Sequence, residues 1–142
     1  MNYSNTTNSD SVLKDIALLI VRVFIGFAML SHGFPKLQML LEGKSDFFDF
    51  LGLGSQITLG ITVFAEFACS ILLILGLFSR ISIGFLMFTM IIAGFVVHGA
   101  DPFEKREMSL IYLSVYLLLM VFGVGKFSVD YMIEKRKRAN DW

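Results

Sequence analysis

Four apolar runs set what this 142-residue chain can fold into. They cover residues 16–34, 57–78, 81–97 and 108–124. Each is close to the ~20 residues that cross a ~30 Å hydrocarbon core at about 1.5 Å per residue. In lipid every backbone polar group needs an internal partner, so such runs fold as helices despite their Ile, Val and Phe. The expected fold is all-α: a four-helix transmembrane bundle with a short amphipathic interfacial segment between helices 1 and 2.

Composition supports this. The chain is 56% hydrophobic and only 17% charged, too apolar for an ordinary soluble globule. A formal net charge of zero argues against a nucleic-acid partner. The single cysteine, Cys69, excludes an internal disulfide and any dithiol cycle within the chain. It reads as a small buried hydrophobe. The first run contains an arginine and lacks a small-residue cleavage site, so it is a retained helix and not a secretory signal.

Three segments follow. Residues 1–14 form a flexible polar tail, with Asp10 or Ser11 as the N-cap of helix 1. Residues 15–130 form the transmembrane domain, and residues 131–142 a basic tail that attracts anionic headgroups. Basic residues set the orientation. Lys14, Arg80, Lys126 and the run Lys135-Arg136-Lys137-Arg138 outweigh Lys36, Lys44, Lys105 and Arg106, placing both termini in the cytoplasm.

Two charges fall inside the apolar runs. Arg22 interrupts the first and Glu66 lies near the middle of the second. A charge at such depth costs at least a few kcal/mol unless it faces other helices or a polar cavity. Glu66 lies roughly 13 Å from the outer end of its helix and Arg22 roughly 18 Å from the outer end of its own, at helical rise. The arginine stem spans that difference, which allows an Arg22–Glu66 pair between helices 1 and 2.

Other polar residues gather at the outer face. His32 and Lys36 close helix 1, while His98, Asp101, Glu104 and Glu107 lie at or after the outer end of helix 3. Pro35 disfavours helix at Phe34 and Gly33 loosens the same turn, so a bend is expected there. Residues 45–53 alternate Asp46 and Asp49 with Phe47, Phe48 and Phe50. They form either a short interfacial helix or a lid over the outer mouth. Gly26, Gly60, Gly76, Gly84 and Gly94 allow close helix approach.

Several motifs resemble one family in order and spacing. Arg22-x-x-x-Gly26 precedes His32-Gly33-Phe34-Pro35-Lys36-Leu37, then Glu66 and Leu75-Gly76-Leu77-Phe78-Ser79-Arg80. Gly123-x-Gly125-Lys126-Phe127-Ser128-x-Asp130 closes the series. Over residues 17–130 the chain resembles the DoxX family of small four-helix bacterial membrane proteins. The resemblance implies an inner-membrane, multi-pass protein associated with redox chemistry. The family includes relatives of a thiosulfate:quinone oxidoreductase subunit.

The leading functional reading is therefore a component of a membrane redox pathway that binds a quinone or quinone-like lipid near Arg22 and Glu66. Glu66 is the catalytic candidate, as proton donor or acceptor; its alternative is a structural tie to Arg22. Arg22, His32, Lys36 and His98 are the substrate-binding candidates. Arg22 would hold an anionic group, or lock helices 1 and 2 by its pair with Glu66. Lys36 would draw anions to the mouth, or simply snorkel. His32 and His98, with Glu104 or Glu107, would line a proton entry; with no local ligand motif, no metal is assigned. No flavin, haem or iron–sulfur motif is visible, so electrons would come from a soluble redox partner protein or a small molecule. The alternative is a non-catalytic membrane anchor or accessory subunit for a soluble enzyme. A small transporter is a third reading, against which the short length and lack of inverted repeats count.

Overall fold

A computed structural model describes residues 3–44 and 46–140. Met1, Asn2, Asp141 and Trp142 of the expected tails, and Ser45 of the expected interfacial segment, lie outside them. The described chain is all-helical, with five helices: α1 Tyr3–Leu41, α2 Ser55–Leu75, α3 Ser79–Val97, α4 Phe103–Phe122 and α5 Val129–Asn140. Among the described residues, α2 and α3 are long and apolar enough to cross a bilayer, with mean hydropathies of 2.2 and 2.1.

Helices α1 to α4 share one core. Ile25 and Met29 from α1 meet Cys69 and Leu73 from α2, Ile83, Leu86 and Met90 from α3, and Tyr112, Tyr116 and Leu119 from α4. The outward faces are apolar too: Phe24, Ile81 and Val121 are 72%, 62% and 69% exposed. A water-facing surface of that kind would be a liability, whereas lipid accepts it.

The ends of the elements depart from the sequence reading in four ways. Helix α1 spans Tyr3–Leu41, so Asp10 and Ser11 lie inside it and not at its start. It also runs through Pro35 to Leu41. Proline removes one donor from the ladder, a loss that helices packed in lipid tolerate. Residues 46–54 are not helical. Left-handed backbone at Leu51, Gly52 and Gly54 breaks any helix there, and the Asp49 carboxylate accepts the Gly54 N–H at 2.9 Å. The stretch after residue 130, expected as a tail, is the amphipathic helix α5, none of whose residues is buried.

Only some of the glycines serve close packing. A Cβ on Gly33 would lie 2.8 Å from the backbone of Glu66 and Phe67, and one on Gly26 would lie 2.5 Å from Ile74. Gly60 and Gly84 face open space. Gly33 is thus where α1 rests directly on α2; it loosens no turn.

Two helices carry a wider turn. Residues Phe64–Ala68 within α2 and Ile92–Val97 within α3 are π-helical. Such turns are rare and collect at functional sites, because the widened ring swings side chains off the regular α-helical stripe. Glu66 sits in the first, and His98 caps the second by donating its N–H to Ala93 O at 3.0 Å.

Candidate functional site

The two intramembrane charges belong to opposite ends of the molecule. Gly33 on α1 lies against the backbone of Glu66, while Arg22 packs beside Gly76 at the far end of α2. Eleven residues separate Arg22 from Gly33, about 16 Å along a helix. The expected Arg22–Glu66 pair is therefore replaced by two separate arrangements.

Arg22 is 2% exposed and donates from Nη1 to Val124 O and from Nη2 to Phe127 O, both at 3.0 Å. Those carbonyls belong to the glycine-rich turn between α4 and α5, so the guanidinium ties the first helix to the close of the fold. Asp130 completes the tie: its carboxylate accepts the N–H groups of Phe78 and Ser79 at 2.8 Å each. Partial burial pushes the Asp130 carboxyl up, but those N–H groups and the nearby Arg22 outweigh it and hold it below the usual carboxylate range. Phe78 has φ 48°, an uncommon conformation for a residue other than glycine, and the Asp130 bonds hold this strained turn in place. Arg22 thus acts as a structural lock.

Glu66 instead meets Lys36. The Lys36 ammonium donates to both carboxylate oxygens, at 2.6 and 2.5 Å. Glu66 is buried, and Lys36 is 28% exposed. Because α1 continues as helix through Pro35, Lys36 sits one turn beyond Gly33, on the face already pressed against Glu66. Ser70 steadies the same turn by donating its hydroxyl to Glu66 O at 2.6 Å.

Two chambers meet at this pair. One, about 220 Å³, is lined by Met29, His32, Lys36, Glu66, His98 and Tyr112, among others. The second, about 210 Å³, shares Lys36, Glu66, Ala93 and His98 and adds Phe47, Phe48, Thr58, Thr62 and Thr89. Phe47 and Phe48 come from the loop after α1, which fits the lid alternative better than an interfacial helix. Both π turns contribute to the walls: Glu66 from the first, Ala93 and Val97 from the second.

The rim supplies further polar groups. His98 Nδ1 lies 2.8 Å from Asp101 Oδ2, and Lys105 lies 3.8 Å from the same oxygen. The His98 hydrogen bond holds the Asp101 carboxyl below the usual range, with Lys105 adding to the effect. Inside, the His32 ring meets Tyr112 edge-on at 5.8 Å, and Tyr112 meets Tyr116 at 6.0 Å. Tyr116 is fully buried and its hydroxyl has no partner.

Four of the five candidate residues, Glu66, Lys36, His32 and His98, thus line one cavity, and Arg22 lies outside it. Glu104 and Glu107 are exposed on α4 and line neither chamber. Tyr112, Ser109 and the threonines of α2 and α3 were not singled out from sequence. Ser109, Tyr112 and Tyr116 recur at helical spacing within an apolar run, a polar stripe that marks an inward face.

An all-helical chain with lipid-compatible faces and a part-buried ion pair beside its loops defines a helical membrane protein with an internal polar site. Residues 17–99 match the DoxX family, and the chain belongs to that family. It is also similar to an uncharacterized protein of Haemophilus influenzae, 26% identical over 135 residues that cover 89% of each chain. No solved structure matches. The family match runs from within α1 to just past the end of α3, and so includes Arg22, Lys36, Glu66 and His98.

Proposed function

We propose that the chain is a four-helix transmembrane bundle of the bacterial inner membrane that binds a quinone-like head group at the Lys36–Glu66 pair, as part of a membrane redox pathway. Both termini lie in the cytoplasm, so the cavity opens toward the outer face. The observation that carries this reading is the part-buried ion pair at the junction of two chambers whose walls include both π turns.

Each chamber is smaller than the roughly 300 Å³ at which drug-sized pockets begin, so the fit is to one ring-sized head group. Lys36, His32 and Tyr112 are hydrogen-bond donors suited to carbonyl oxygens. Glu66 is the proton donor or acceptor, and the His98–Asp101 pair connects the cavity to the aqueous rim. The aromatic loop at Phe47 and Phe48 shields the ring from water. Electrons would come from a partner protein or a small-molecule reductant. The anchor reading has one observation in its favour, the exposed stretch of α5 over residues 131–140, which is free to hold a soluble partner.

The test is purification in mild detergent followed by mass spectrometry of retained small molecules, comparing wild type with Glu66→Gln. The reading expects a quinone on the wild type and none on a folded Glu66→Gln protein. Ordinary phospholipid alone on both would end it.

A further inference from the structure

A larger cavity, about 390 Å³, opens at the opposite end, between the start of α1, the start of α3, the closing turn and α5. Its acids are already engaged. Asp15 accepts the Lys126 N–H at 3.2 Å and faces the Lys126 ammonium at 3.5 Å. Asp130 caps α3 through Phe78 and Ser79, and Glu134 pairs with Arg138. Two cations are left over. Lys14 rests over the Phe122 ring, 5.5 Å from its centroid, and Arg80 is exposed in the first turn of α3. Neither has a carboxylate within ion-pair distance among the described residues.

We propose that this cavity binds the phosphate of an anionic phospholipid, held by Lys14 and Arg80. A phosphodiester has the charge and the acceptor oxygens that these groups lack. A lipid is favoured over a soluble phosphate because the cavity borders exposed apolar side chains. Phe122 lines it at 55% exposure, and Phe78 and Ile81, beside Ser79 and Arg80, are 61% and 62% exposed. Acyl chains would lie along them while the head group sits between the cations. A zwitterionic choline head group would bring a cation against Lys14 and Arg80. The site is separate from the Lys36–Glu66 cavity and from the basic run on α5.

The test is lipid retention by native mass spectrometry after reconstitution in nanodiscs of phosphatidylcholine with a minor share of phosphatidylglycerol. Wild type should retain phosphatidylglycerol preferentially, and Lys14→Gln/Arg80→Gln should lose about 30-fold of that preference, the combined effect of two basic residues near an anionic surface. The variant should unfold at the wild-type temperature in phosphatidylcholine alone, which separates lost binding from lost fold. A Lys135→Gln/Arg136→Gln/Lys137→Gln control should keep the preference. Millimolar inorganic phosphate should not displace the lipid. The proposal is overturned if wild type shows no preference, if Lys14→Gln/Arg80→Gln keeps it, if only the α5 control loses it, or if free phosphate displaces the lipid.

Discussion

The two ends of the molecule each bury a charge, and they do so in opposite ways. Arg22 is matched by fixed backbone carbonyls in a turn held by Asp130, although its Nε has no partner. Glu66, in a π turn beside two chambers, is matched by a lysine side chain that is 28% exposed. Carbonyl acceptors cannot titrate or move away, whereas a lysine on a flexible stem can yield to a ligand. On the proposed function, the difference separates a structural charge from a working one.

The largest effect should come from Arg22→Leu, which deletes two charge-assisted bonds and leaves the Val124 and Phe127 carbonyls without them. A loss of about 3–6 kcal/mol is expected, read by thermal unfolding in detergent. If that variant unfolds at the wild-type temperature, the lock does not exist. Gly33→Val comes next, because its branch would strike the Glu66 backbone. About 1–3 kcal/mol should be lost together with ligand retention, while Gly84→Ala, which meets nothing within 4 Å, should leave both unchanged. Equal behaviour of the two glycines would dissolve the idea that α1 positions the π turn.

Glu66→Gln should cost only about 1 kcal/mol, since its partner can reach water, yet abolish retention of the head group. A stability loss as large as that of Arg22→Leu would make Glu66 a second lock. The smallest effect concerns acid. Asp130 has a depressed carboxyl pKa in the folded state, so its contribution is whole above the ordinary carboxylate value near 4 and fades as pH falls through the lower folded value. Wild type should therefore lose melting temperature more steeply than Asp130→Asn between pH 4 and pH 2. Parallel curves would remove Asp130 from the lock.

Hydropathy made the helices legible, and the cost of intramembrane charge drew attention to Arg22 and Glu66. Their partners were not legible, because depth alone does not say which residue faces which. Lys36 reaches Glu66 only because α1 runs on through Pro35, and local sterics argue the other way. The π turns shift the register by a residue without altering composition, so no periodicity announces them. Asp130 is far from α3 in sequence, and its capping of Phe78 and Ser79 spans 52 and 51 residues.

The lock also carries a timetable. Arg22 precedes its two acceptors by 102 and 105 residues. At roughly 5–20 residues per second, a ribosome needs roughly 5–20 s to make them. During that interval α1 waits with an arginine whose partners have not been synthesised, so three helices come off the ribosome before the first can settle. A nascent chain released before residue 124 would keep that cation unmatched, and the fold can close only once residue 127 has been made.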